Sequence, residues 1–418
     1  MASEITKNLQ YFKFCMYGFL KNLRFFDAFL ILFFLDRGLS FVEIGLLYSI
    51  REITLVLVEI PSGVIADTLG RRRILIISFA LYITSFILFF LSANFMLFAF
   101  AMLVFAFGDA FRTGVHKAMI FNYLKVNDWP DQKVDYYGHT RSWSQIGTAI
   151  SALIAGFIVF YSGNYDMIFL ASGIPYFINM LNIWSYPKFL DGDHPTFSYI
   201  VVKNQFKEVI SAFIHSFKNI YFLKVLTSNN LNTGFYRAVK DYIQPLLKSF
   251  TLSLPVLAYL SDEKKVAIII GIAYFFIYLL TALLTRKSGT FIKFFKTASK
   301  PMNITILIAL ISGVITGLMF SVGYFIIAII GFVVILAIEN LRKPIGVALV
   351  ANLSKDKAMA SVLSASSQAK SIIAAILAPL IGWIADMSDP GIGIAVVSFT
   401  LIFLIPLYWL KLPLLNKN

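Results

Sequence analysis

The sequence predicts an all-α integral membrane protein, with about twelve transmembrane helices arranged as two pseudo-symmetric six-helix bundles. Three observations predict it. Of 418 residues, 59% are hydrophobic and only 14% are charged, with a mean hydropathy of +0.79, whereas soluble domains carry about 25% charged residues. Apolar stretches of about 20 residues, enough to cross roughly 30 Å of hydrocarbon, recur along the whole chain. Lysine and arginine concentrate in alternate loops. No ten-residue alternating pattern appears, and backbone groups in lipid must be satisfied within each segment, so helices are favoured over a barrel.

The spans follow in order. The first covers residues 13–35, after a polar start, Met1 to Gln10, that has no short apolar core with a small-residue cleavage site, so no cleaved leader is expected. The second, 41–66, carries Arg51, Glu52 and Glu59, and the third, 72–92, begins in the basic run Arg71–Arg73. The fourth, 96–124, contains Asp109 and Arg112, and 139–161 and 166–186 complete a first bundle over residues 1–187. A polar linker, 188–218, follows. Its residues Val202, Phe206, Val209, Ile210 and Phe213 recur at helical spacing opposite Lys203, Lys207 and Glu208, which predicts an amphipathic helix along the membrane surface. Spans at 219–247, 265–285, 302–319, 324–351, 358–385 and 392–411 form a second bundle within 219–418.

About nineteen lysines and arginines fall in the loops assigned to one side, against four, Arg37, Lys248, Lys264 and Lys265, on the other. The asymmetry places both termini in the cytoplasm and requires an even number of spans. The net charge of +14 is spread over separate loops, where attraction to anionic lipid headgroups accounts for it, so no nucleic-acid partner is expected. The single cysteine, Cys15, excludes an intrachain disulfide. The absence of sorting signals fits the inner (plasma) membrane of a bacterial cell.

An internal repeat supports two halves. Asp109-Ala-Phe-Arg112 with Asn122 in the fourth span matches Glu339-Asn-Leu-Arg342 with Asn352 in the tenth, at an offset of 230 residues. Asn22, Phe25, Phe26, Asp27 and Ala28 match Asn232, Phe235, Tyr236, Arg237 and Ala238 at an offset of 210. Repeats of the same orientation imply an axis along the membrane normal, and in carriers built this way the solute site lies between the halves.

Between the second and third spans the chain reads Gly63-Val-Ile-Ala-Asp67-Thr-Leu-Gly70-Arg71-Arg72-Arg73. Glycines permit a tight turn and close approach, Asp67 suits the positive end of a neighbouring helix, and the arginines prefer the cytoplasmic surface. Glycine, aspartate, glycine and a basic pair at this spacing and place resemble the loop motif of the major facilitator superfamily. The resemblance implies a monomeric secondary transporter working by alternating access, with Gly63, Asp67, Gly70, Arg71 and Arg72 as a gating loop that latches the halves. Three features depart from the family, the first being His116, which stands where a glycine is expected downstream of the arginine, here Arg112, of the fourth span. The fifth span, Gln145 to Gly156, lacks the glycine-proline pair of the antiporter motif, and Arg286-Lys-Ser-Gly289 is a degenerate second copy of the loop.

Charges within spans are costly, about 2.5–3.5 kcal/mol each on insertion scales, and therefore informative. By three- and four-residue spacing, Lys21, Arg24 and Asp27 share a face, as do Asp109, Arg112 and His116, then Arg237, Lys240 and Asp241, and then Glu339, Arg342 and Lys343. The candidates for solute binding or ion coupling are Arg24, Asp27, Arg51, Glu52, Asp109, Arg112, Arg237, Asp241, Glu339 and Arg342. Arg24 and Arg237, on the two helices that the resemblance places along the central cavity, suit a carboxylate or phosphate group. Glu52 and Glu59 are candidate proton carriers. Each charge admits a second reading, an interhelical salt bridge that never touches solute.

His116, His139, His194 and His215 are scattered, with no metal-ligand spacing, and no phosphate-binding GxxxxGK[ST] loop is present. No metal, cofactor or catalytic residue is expected, and the chain is not read as an enzyme. The leading expectation is a secondary transporter of a small organic solute, by proton-coupled efflux. The alternatives are an uptake symporter or uniporter for an anionic or zwitterionic solute and, from another class, a membrane enzyme or a solute sensor.

Overall fold

A computed structural model describes residues 5–192, 198–218, 220–255, 259–295, 299–353 and 359–410, and among them it is helical, with no strand. The helices are α1 (Leu9–Leu20), α2 (Leu30–Asp36), α3 (Phe41–Leu69), α4 (Arg71–Leu91), α5 (Phe95–Arg112), α6 (Val115–Val126), α7 (Lys133–Ser162), α8 (Met167–Trp184), α9 (Tyr199–Lys218), α10 (Ile220–Val239), α11 (Ile243–Ser253), α12 (Asp262–Lys293), α13 (Ser299–Ser321), α14 (Phe325–Leu353), α15 (Met359–Met387), α16 (Pro390–Phe403) and α17 (Ile405–Tyr408). Asn8 and Asn94 cap α1 and α5, their side chains accepting from Tyr11 N at 3.0 Å and Leu97 N at 3.1 Å.

Eight helical stretches of the described residues are long and apolar enough to cross a membrane. Four predicted spans fall outside that description for separate reasons. The second is one long helix, α3, but carries Arg51, Glu52 and Glu59 within it. The twelfth is short, α16 followed by α17. The first and seventh are broken. The first is α1, an unwound stretch, a 3-10 turn at Phe25–Ala28, and α2; the seventh is α10, a 3-10 turn at Lys240–Tyr242, and α11. The fourth span also divides, at Thr113 and Gly114, the latter in the left-handed region at φ +79°.

These breaks correct the expectation of shared helical faces. Arg24 no longer follows Lys21 on a helix, because α1 ends at Leu20 and Asn22 turns its amide back onto Gly18 O at 2.6 Å, competing with the backbone ladder. His116 begins a new helix after Arg112 ends the previous one, and Lys240 and Asp241 lie in the turn beyond α10.

The chain packs as two compact units, Met1–Phe33 with Thr54–Val202 and Leu257–Tyr278, and Phe34–Ile53 with Lys203–Val256 and Leu279–Asn418. In the first, α4 packs on α5 and α8, and α1 on α7 and α8. Its core is aromatic: Phe26 stacks on Phe169 at 5.6 Å, and Phe33 meets Phe98 edge-on at 5.6 Å. A Cβ on Gly147 would lie 2.5 Å from Phe19 O, so the α1–α7 crossing requires glycine there. In the second unit α13 packs on α14 and α16, and α10 on α15. Val225, Leu226, Met302, Ile345 and Val350 are buried together there. Phe100, Phe157, Phe276 and Phe399 are exposed, as suits a molecule whose solvent is lipid.

Candidate functional site

The first unit gathers three of the predicted charges. Arg24 Nη2 and Arg112 Nη2 each lie 3.2 Å from the same oxygen, Asp109 Oδ1. Tyr82 OH donates to that oxygen as well and accepts from Arg112 Nε at 2.9 Å. The Asp109 side chain is 6% exposed, against 17% for Arg24 and 21% for Arg112, so the carboxylate is sealed while each arginine side chain keeps some accessible surface. The Arg24 guanidinium also stands over the rings of Phe105 at 5.5 Å and Tyr82 at 5.8 Å.

A polar stripe on α8 supports the broken first span. Ser172, Tyr176, Asn179 and Asn182 recur at three- and four-residue spacing, on one face. Phe25 N donates to Ser172 Oγ at 3.1 Å, Tyr176 OH to Lys21 O at 3.0 Å, Asn179 Nδ2 to Tyr17 O at 3.2 Å, and Asn182 Nδ2 to Lys13 O at 3.0 Å. Phe25 N and Lys21 O, which the unwinding frees, are thereby satisfied inside an apolar medium, and the two amides tie α8 to carbonyls of α1. Tyr176 also accepts from Arg24 Nε at 2.9 Å, which fixes the guanidinium's orientation toward Asp109.

Among the described residues, His116 makes no hydrogen bond to Asp109, Arg112 or Arg24. Its ring stacks on Tyr17 with centroids 3.5 Å apart, and Nε2 lies 3.2 Å from Tyr186 OH. Tyr186 OH also lies 3.2 Å from Lys13 O. Asp27 lies in the 3-10 turn Phe25–Ala28.

The second unit divides the remaining charges into separate groups. Arg237 Nη1 pairs with Glu52 Oε2 at 2.6 Å and donates to Ser371 Oγ at 2.9 Å. Lys240 Nζ holds its neighbour Asp241 at 2.8 Å. Glu339, 4% exposed, accepts from Asn232 Nδ2 at 2.8 Å and Thr233 Oγ1 at 3.0 Å. Arg342, 1% exposed, turns to other partners: Ser228 O at 2.9 Å, Ser228 Oγ at 2.7 Å, Thr305 Oγ1 at 2.9 Å and Met302 O. Glu339 and Arg342 therefore do not pair, although their spacing on α14 allows it. Arg51, half-buried, precedes Glu52 on α3.

At the loop motif, Arg71 Nη2 pairs with Asp67 Oδ1 at 3.1 Å across one helical turn. Gly70 takes φ +97°, which only glycine adopts without strain, and starts α4. Asp191, beyond α8, caps that helix: its Oδ1 accepts from Arg72 N at 2.8 Å, and Arg72 Nη1 donates to Tyr186 O at 2.9 Å. Nothing lies within 4 Å of a Cβ built on Gly63. Sequence reasoning missed Tyr82, Tyr176, Asp191 and Ser371. The stripe Ser172-Tyr176-Asn179-Asn182 was the available signal, polar residues at helical spacing in an otherwise apolar span.

A broken, polar helix at the start of each repeat and a loop of fixed glycine and basic residues are features that membrane carriers share. The sequence model for the Major Facilitator Superfamily matches residues 18–286. The chain belongs to the major facilitator superfamily. No curated protein matches the sequence significantly. Among solved structures, the chain is similar to a mutant of the nucleoside transporter NupG, with a TM-score of 0.76 and 16% identity over 95% of this chain and 99% of that one. It is also similar to a mutant of the peptide transporter POT in complex with alafosfalin, with a TM-score of 0.68 and 14% identity over 96% of this chain and 95% of that one. At these identities the likeness is one of fold. The protein is a multi-pass secondary transporter with the superfamily's all-α fold and not an enzyme, as the sequence predicts.

Proposed function

We propose that this superfamily member carries a small organic solute bearing a carboxylate or phosphate group, anionic or zwitterionic, and that a proton gradient drives it. The observation that carries this reading is the sharing of Asp109 Oδ1 by two guanidiniums. One carboxylate offsets one of the two charges. Lys21 adds a third cation to the same unit, and Asp27 and Glu59 a second and third acid, so the positive excess is local to the shared carboxylate, where it is expensive unless an anion or water meets it. Arginine's fork accepts carboxylate or phosphate with two parallel hydrogen bonds. Arg24 and Arg112, whose side chains are partly accessible, are the groups that meet the solute, and Tyr82, Tyr176 and Asp109 hold them in place. Nucleoside and peptide transporters of the same fold support solutes of this size class.

The chain works as a monomer of two six-helix halves, 1–187 and 219–418, joined by the linker, and sits in the inner membrane with both termini cytoplasmic. The loop excess of lysine and arginine supports that orientation, and the same loops meet anionic lipid headgroups. Efflux gains no support from the similar structures, and the missing glycine-proline pair of the fifth span argues against antiport-driven export.

The test is counterflow in proteoliposomes, with a labelled panel of organic anions, zwitterions, neutral sugars and lipophilic cations. Exchange confined to anions and zwitterions, weakened by Arg112→Ala, supports the reading. Preference for cations or neutral sugars sinks it.

A further inference from the structure

Beyond the arginines that share Asp109, the first unit carries two rows of cations that run to the end where α6 joins α7. In one, the break at Thr113 and Gly114 leaves both residues exposed beside Arg112, and Lys117 follows, exposed, in the first turn of α6. In the other, Lys133, Tyr137 and Arg141 recur at four-residue spacing on one face of α7, and both cations are exposed. The rows meet at an aromatic seam. Phe121 of α6 meets Tyr137 edge-on at 5.8 Å, and two ammonium groups converge on it. Lys117 Nζ lies 5.3 Å from the Phe121 ring and 5.4 Å from that of Tyr137, and Lys133 Nζ lies 4.3 Å from Phe121.

No carboxylate offsets these charges. None of the described ion pairs includes Lys21, Lys117, Lys133 or Arg141. The acids of this end, Asp128, Asp131 and Asp135, are exposed, and Asp135, two residues from both Lys133 and Tyr137, projects from the other side of α7. Lys21, half-buried where α1 ends, links Arg141 to the inner cluster, because the charges that act on it include Arg112, Arg24 and Arg141, with Asp109 the acid among them. Lys117 and Arg141 also fall inside the predicted spans 96–124 and 139–161, where a cation without an acid is costly unless it faces water or an anion. A lipid headgroup accounts for Lys133 at the helix end, but not for Arg141, two turns or about 12 Å further along α7.

We infer that Lys117, Lys133 and Arg141 form an outer anion site, where the solute's carboxylate or phosphate is first held before it passes Lys21 to Arg24 and Arg112. Lysine suits such a transfer point, since its hydrated ammonium on a flexible stem imposes no fixed angle, whereas arginine's fork orients the anion where it must be bound. Charges of one sign along a path raise the association rate of an anion by about 10-fold or more, and salt removes the gain.

The inference rests on the anionic-solute reading, and two measurements separate them. The first needs no transport: binding of inorganic phosphate to purified protein in neutral detergent, read by phosphorus NMR line broadening. In an Arg112→Ala background, with Arg24→Ala as a second, phosphate still binds, and adding Lys117→Gln and Lys133→Gln weakens it about tenfold or more. Binding lost in both backgrounds, or indifferent to the lysine substitutions, overturns the outer site. Phosphate displaced in nanodiscs of phosphatidylglycerol but not in those of phosphatidylcholine makes it a lipid headgroup site and overturns the solute's passage. The second is exchange of an anion from the solute panel in proteoliposomes, at low concentration and varied ionic strength. Lys117→Gln with Lys133→Gln, and separately Arg141→Gln, slow exchange about tenfold at low ionic strength, and the difference shrinks to less than about twofold in high salt. No slowing at low ionic strength, or slowing that salt leaves intact, contradicts the inference. Wild type that exchanges no anion sinks the transport reading and leaves phosphate binding to decide the outer site.

Discussion

Asp109 and Glu339 stand at equivalent places in the two copies of the acid-x-x-arginine segment, but Asp109 clasps Arg112 at 3.2 Å whereas Glu339 turns from Arg342 to Asn232 and Thr233. Similar local sequences thus yield an ion-paired acid in one unit and, in the other, an acid whose hydrogen bonds come from an amide and a hydroxyl. The difference follows from the neighbours. In the first unit α4 presents Tyr82 to the arginine, and in the second α13 presents Met302 O and Thr305 Oγ1, which draw Arg342 away.

Arg112→Lys keeps the charge but loses the fork that reaches Asp109 Oδ1 and Tyr82 together. A charge-assisted hydrogen bond contributes about 1.5–3 kcal/mol, so apparent solute affinity falls roughly 10- to 100-fold. Counterflow at varied solute concentration reads this as a raised KM; an unchanged KM contradicts the assignment of Arg112 to the solute.

Asp109→Ala leaves two guanidiniums without their shared acceptor in a nearly sealed site. Breaking a buried ion pair costs about 3–5 kcal/mol, and partial exposure of both arginines places this case at the lower end. Thermal unfolding in detergent shows the loss as a lower midpoint, and the further substitution Arg112→Met restores part of it.

Tyr176→Phe removes the donor to Lys21 O and the acceptor for Arg24 Nε. It leaves an unwound carbonyl unsatisfied, at about 1–3 kcal/mol. The expected outcome is a lower unfolding midpoint together with weaker solute binding, because Arg24 loses its orientation. A fall in stability with solute affinity intact confines Tyr176 to the fold.

Gly45→Leu tests the packing of α3 against α15. A Cβ at Gly45 would lie 2.5 Å from Pro379 Cα and 2.6 Å from Ala378 O, with backbone on both sides and no flexible side chain to yield. Ser49 adds a hydrogen bond to Ala375 O at 2.5 Å one turn further on. Overpacking costs about 1–3 kcal/mol, so the variant is less stable by thermal unfolding, whereas Gly63→Ala, where nothing lies within 4 Å, unfolds like the wild type.

Much of the fold was legible in the sequence because lipid imposes a simple rule: apolar stretches long enough to cross must be helices. The loop motif was legible because Gly70 serves a positive φ and Asp67 a turn-spaced arginine. The breaks after Leu20 and Val239 were not legible, since each depends on distant partners. Ser172 and Tyr176 satisfy the unwound backbone near Arg24, and no local pattern around residues 21–28 announces them. For the same reason spacing placed Arg342 beside Glu339, whereas α13, distant in sequence, decides where its guanidinium goes.

The most direct test of the central claim is equilibrium binding of a solute panel to purified wild type, Arg24→Ala and Arg112→Ala protein, measured by calorimetry at constant pH. The account predicts that wild type binds one or more carboxylate- or phosphate-bearing solutes and that each substitution weakens the interaction about tenfold or more. Binding restricted to neutral or cationic solutes, or anion binding indifferent to both substitutions, would contradict it.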